Sequence, residues 1–174
     1  MLLPALVMTA LCADTAASYR AALDGLQGLD QMDRVRLYLH NRMPPGPEMQ
    51  ALLQATATQR AELRRAAAQD SIDWGLDYHQ GPELLLPELT PLRKGAQLLD
   101  TTMLLHAAAG ESAQAARAFR TATRMAGHIT EQELLISSLV AMSCLAQADA
   151  SVERLIEMGL IDADLAGLLA VEYE

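Results

Sequence analysis

The chain has 174 residues; 51% are apolar, only 3% are aromatic, and the formal net charge is −9. That length can bury a core of its own. The apolar surface is Ala, Leu and Met rather than Val, Ile or aromatics, and no long stretch alternates with period two, so a sheet protein is excluded and closely packed helices are predicted. The charge is uneven: residues 1–129 hold 13 acids and 12 bases, residues 130–174 nine acids and Arg154 alone. Nucleic acid needs a basic footprint and is disfavoured as a partner. The acidic third reads either as a solvated face or as a surface for a basic partner.

The chain opens on an apolar run, LLPALVMTALCA. It reads either as the core of an export signal or as a retained helix. Against the signal, no Lys or Arg precedes it and Leu11 stands where a small residue is needed; it is also too short to span a bilayer. The retained helix would run from Pro4 to about Leu26, with Leu6, Ala10, Ala13, Ala17 and Leu23 on one face. A second helix is predicted from Met32 to Arg42, and Pro44 to Pro47 breaks it. A third runs from Glu48 to about Gln69, with Met49, Leu52, Leu53, Thr56 and Leu63 inward and Arg60, Arg64 and Arg65 on the other side.

Ser71 to Pro91 cannot be regular helix. It carries Trp74, the only tryptophan, and Pro82, Pro87 and Pro91. It reads as an elbow joining N-terminal helices (1–70) to C-terminal helices (92–174) in one domain, with a helical turn expected between Pro82 and Pro87. Beyond it a fourth helix runs from Pro91 to Ala109, buried over much of its circumference by Leu92, Ala96, Leu99, Met103 and His106 with Leu98, Leu104 and Leu105. Gly110 suits a left-handed stop. A fifth helix, Ser112 to Ala126, is capped by Ser112, packs through Ala115, Ala118, Phe119, Ala122 and Met125, shows Arg117, Arg120 and Arg124 outward, and closes at Gly127. Thr130 with Glu133 reads as a capping box opening a sixth, whose inward seam is Leu135, Leu139, Met142 and Ala146 and whose end is near Asp149–Ser151 or Met158. Asp162 caps a last helix reaching Tyr173; no stop signal follows, as in a chain that continues past Glu174.

The Gly110, Ala115, Phe119 and Ala122 spacing resembles the turn and second helix of a tetratricopeptide repeat. Leu99, Met103 and His106 depart from it, standing where Trp, Gly and Tyr are usual. The resemblance covers Leu92 to Ile129 and implies one degenerate helical hairpin, with no second copy at the repeat spacing. More loosely, AASYRAAL from Ala16, DWGLDYHQGPELLLP from Asp73 and AAAGESAQAARAF from Ala107 resemble helical regions of uncharacterised, often exported bacterial proteins. That resemblance implies no activity. The compartment is thus either periplasm or cell envelope, or the cytoplasm.

The expected fold is all-α, an irregular bundle of six to eight antiparallel helices around the hairpin. No zinc, nucleophile, phosphate-loop or dinucleotide motif is present, so no catalytic residue, metal or cofactor is expected. Cys12 and Cys144 read as two buried thiols, or as a disulfide in an exported chain. His106 reads as a hydrogen-bonded core residue. The best constellation is Trp74, Asp77, Tyr78, His79 and Glu83, with Asp73 beside it: aromatic surface, carboxylates and an imidazole on one loop. It is either a binding site or a plug, in which large apolar rings fill the gap between the helical halves. The leading expectation is a non-enzymatic protein-interaction or scaffold domain, self-association through the first helix included. The alternative is a small-molecule or peptide site at Trp74, Tyr78 and His79; a hydrolase or metal enzyme on Asp77, His79 and Glu83 ranks third.

Overall fold

A computed structural model describes residues 16–26 and 46–173. The expected start of the first helix, the second helix, Cys12 and the first half of the Pro44–Pro47 break lie outside the described residues. Within them the protein is all-α: seven α-helices, two short 3-10 turns and no strand. We name them α1 (residues 16–24), α2 (Pro47–Ala55), α3 (Ala57–Ala67), α4 (Leu89–Ala108), α5 (Ser112–Thr130), α6 (Leu135–Glu157) and α7 (Ala163–Ala170).

The long helices α4, α5 and α6 pack on one another and run through two clusters of buried side chains. At one end α1, α2 and α3 close over Leu92, Ala96 and Leu99 of α4 and Met125 and Ile129 of α5. At the other, α7 closes over Met103, Phe119 and Leu155 through Leu165 and Leu169. Small residues set the spacing. On α4, Gly95 is buried, and a Cβ there would sit 3.2 Å from Leu23, 3.6 Å from Met125 and 3.7 Å from Leu63; three helices meet it at the distance its missing side chain leaves.

The α4–α5 turn forms as its sequence dictates. Gly110 is left-handed (φ 73°). Glu111 N–H donates to the His106 carbonyl at 2.8 Å and Gly110 N–H to that of Ala107 at 3.0 Å, satisfying carbonyls that the helix end leaves open. Ala115, Phe119 and Ala122 are buried against α4 and its neighbours. Asp162 caps α7 as expected, its carboxylate accepting from Leu165 N–H at 2.7 Å.

Five local expectations are corrected. The stretch after Pro47 is two helices, interrupted at Thr56, whose hydroxyl bonds back to the Leu52 carbonyl at 2.7 Å. The turn in the elbow falls earlier than expected, a 3-10 segment over Tyr78–Glu83. Ser112 does not cap α5; its hydroxyl donates to Asp162 instead. α5 runs through Gly127 to Thr130, because His128 and Ile129 are buried and hold the extra turn in place. Thr130 and Glu133 therefore form no capping box: Thr130 ends α5 with its hydroxyl on the Gly127 carbonyl, Glu133 sits in the left-handed region (φ 53°), and α6 begins at Leu135.

A further correction concerns which way α6 faces. Its buried residues are Ser137, Ala141, Cys144, Ala148, Ser151 and Leu155. The expected inward seam is outside: Leu135 is 78% exposed, Leu139 53% and Met142 64%, and Ala146 is exposed too. α6 lies close to α4 and α5, and close approach selects small side chains on the inner face whatever their polarity.

Candidate functional site

The elbow is held from both sides. From α1, the Tyr19 ring stacks on the Trp74 indole, centroids 5.7 Å apart, while Arg20 donates to the Trp74 carbonyl at 2.7 Å and pairs with Glu88 at 3.2 Å. From the end of α5, the His128 carbonyl accepts the indole N–H at 2.9 Å, the Glu131 carboxylate accepts Ile72 N–H at 2.7 Å, and the Gln132 carbonyl accepts the Tyr78 hydroxyl at 2.7 Å. The His128 ring completes the knot. Nε2 lies 3.1 Å from the Gln69 carbonyl and so carries the proton, which leaves Nδ1 to accept the Tyr19 hydroxyl at 2.9 Å. Burial holds this imidazole below its ordinary pKa and pushes the Tyr19 phenol well above its own. Both rings are thus kept neutral, as the bond requires.

The five sequence-selected residues therefore do not share one surface. Trp74 is 3% exposed; its face is on Tyr19 and its N–H is spent on backbone, so no ring surface or donor remains for a ligand. Tyr78, Asp77, His79 and Glu83 are exposed. Asp77 is a local cap, accepting from His79 N–H at 3.1 Å. His106, expected in the core, sits half-buried beside Glu111, which it contacts through Nδ1. Among the described residues no group of three His, Cys, Asp or Glu side chains converges as a metal site would require. The sequence gives no elbow-fastening role to Tyr19, Arg20, His128 or Glu131; only contacts over 54 to 109 positions do so.

The second feature is the outer face of α6. Leu135, Leu139, Met142 and Ala146 recur at three- and four-residue spacing, so they form one stripe, and Ile136 (51% exposed) and Leu145 lie along its edges. The same face then changes character: Asp149, Glu153 and Glu157 continue the row and are exposed. The surface is thus an apolar strip about 18 Å long that runs into carboxylates toward the C-terminal end of the helix. Scattered exposed apolar residues are ordinary, but a contiguous row is not. Among the described residues α6 is the one helix long and apolar enough to cross a membrane by length and composition; 28% of that window is buried in the protein.

No protein-family model, no curated protein and no solved structure matches this chain.

Proposed function

We propose that this chain is a non-enzymatic protein-interaction domain whose docking surface is the outer face of α6, and that its occupant is a basic amphipathic helix. The observation that carries the reading is the order of side chains on that face: large apolar groups first, carboxylates after. A helix with an apolar stripe and Lys or Arg toward one end covers both parts together. It desolvates Leu135, Leu139 and Met142 and sets its basic end over the acidic end of the face at Glu153, with the net charge steering its approach.

A second copy of the chain fits less well. Paired in parallel, carboxylates meet carboxylates; antiparallel with full overlap, they are laid on the partner's leucines. Offset pairing through the apolar halves alone covers a strip roughly 18 Å long and one helix wide, short of the roughly 800 Å² per partner of a stable interface. An anionic bilayer surface is repelled by the same acids. The α4–α5 hairpin, with its left-handed Gly110 and buried Ala115, Phe119 and Ala122, supports reading the centre as one tetratricopeptide-like unit, on which α6 lies as the next helix.

The test uses two labelled peptides of equal length, a Leu/Lys amphipathic helix and its Leu/Glu counterpart, titrated by fluorescence anisotropy. The Leu/Lys peptide binds, Leu139→Glu and Met142→Glu each weaken it about tenfold or more, which corresponds to about 1.4 kcal/mol, and the Leu/Glu peptide does not bind. Equal binding of both peptides, or binding indifferent to the two substitutions, overturns the reading. So does a stable dimer on dilution by light scattering, or uptake by anionic vesicles that those substitutions abolish.

A further inference from the structure

A different surface carries an independent inference. α3 and α5 pack side by side, and each turns part of its basic row toward the other. Arg60 and Arg64 from α3, Arg117 and Gln114 from α5 and His106 from α4 line a cleft of about 40 Å³. That is room for two or three water molecules, or for one small ion seated at its mouth.

The Arg60 guanidinium is oriented before anything binds: one terminal nitrogen donates to the Leu53 carbonyl at 2.7 Å. Its Nε is buried and has no hydrogen-bond partner. A buried donor left unmade is costly, more so on a charged group. Burial first, and the neighbouring Arg64 second, lower the Arg60 pKa. Among the described residues no carboxylate pairs with Arg64 or Arg117. Among the described residues the one acid bonded to a lining side chain is Glu111, which contacts His106. Like charges are therefore gathered around a small polar hollow without a described counter-charge.

We propose that the cleft between α3 and α5 is a binding site for a phosphate-class oxyanion, held by Arg60, Arg64 and Arg117. Planar guanidinium groups present paired donors that match tetrahedral oxyanions, and three of them converging supply both the charge and the geometry. The anion offsets the repulsion between neighbouring arginines. It is either the free ion or the phosphate end of a larger ligand; the shared chemistry is the oxyanion.

The experiment is calorimetric titration of the full chain with inorganic phosphate and with phenyl phosphate, at constant ionic strength set with chloride. Arg60 Nε–Hε is followed in parallel by NMR. Phosphate binds with one site, the Arg60 Nε–Hε resonance shifts, and Arg64→Gln and Arg117→Gln each weaken binding at least fivefold. Both side chains are exposed, so these variants fold. Arg120→Gln, an exposed α5 arginine paired with Glu172 outside the cleft, leaves binding unchanged. Tighter binding of phenyl phosphate assigns the site to a larger ligand's phosphate, and tighter binding of inorganic phosphate assigns it to the free ion. No heat beyond the chloride control, or equal weakening in all three variants, overturns the proposal, because diffuse charge then accounts for everything.

Discussion

α5 and α6 lie side by side and are built on opposite rules. α5 buries Ala115, Ala118, Phe119, Ala122 and Met125 and shows Arg117, Arg120 and Arg124 to solvent, so hydrophobicity and burial coincide. α6 buries two serines, two alanines and a cysteine with Leu155, and shows Leu135, Leu139 and Met142. The difference teaches that an apolar stripe identifies a contact face but not its partner. Within the fold, the inner face of α6 is chosen by size, because α4 and α5 are close. Its outer face is apolar for a reason the described residues do not supply.

The largest expected effect lies where α6 meets α4. Asp100 is buried at 2% exposure and takes the Gln147 side-chain amide as donor. Burial pushes its carboxyl up from 3.8 to about 7, against the opposing effect of the Gln147 bond. A folded-state pKa above the unfolded one means stability that is fully present below about pH 4 and lost as pH rises to about 7, at up to about 1.4 kcal/mol per pH unit. Asp100→Asn keeps an acceptor for Gln147 and removes the charge. Its stability relative to the parent, from urea midpoints, should rise by a few kcal/mol between pH 4.5 and pH 8 and level off above. His128 titrates in the opposite sense, its lowered pKa taking stability away as pH falls below about 6.5; present in both proteins, it cancels in the difference. A difference flat with pH would show that Asp100 is ionised and solvated, and that the α4–α6 contact is looser than its small residues imply.

Next in size is a substitution that asks whether small side chains are required on the inner face. Ala148 is 1% exposed, between α6 and the cluster of Met103, Ala115 and Phe119. Ala148→Leu adds three carbons and makes α6 more apolar, yet should destabilise by roughly 1–3 kcal/mol by overpacking. Thermal melts check it. If the variant is as stable as the parent, proximity does not determine the inner face, and the inversion needs another cause.

The sequence carried the fold further than the site, and particular residues say why. Gly110, Asp162 and the α4 stripe act within a turn or two of themselves, so their roles were readable locally. Trp74 was readable as a large ring wanting burial, but Tyr19 above it and His128 below it are 55 and 54 positions away, and no local pattern marks them. Thr130 and Glu133 obeyed a local rule that lost to tertiary structure: burial of His128 and Ile129 carried α5 past the proposed start of α6. The seam of α6 failed for a reason of kind, since periodicity measures where apolar residues lie and is silent on which neighbour is close. The Arg60, Arg64 and Arg117 cleft was present only as two separate basic rows, each of which reads as solvated until the helices are set side by side.

The smallest effect is the most informative about the outer face. Met142 is 64% exposed and projects from a helix whose packing lies on the other side. If that face is not part of the core, Met142→Gln, which keeps length and helix propensity, should change the urea midpoint by no more than about 0.5 kcal/mol. The same change should raise solubility, because it interrupts the row between Leu139 and Ala146 and leaves the inner contacts of Ala141 and Cys144 untouched. A loss of roughly 2 kcal/mol or more would mean that Met142 is covered within the folded chain itself. The apolar stripe would then be a second inner face, and α6 would follow the same rule as α5.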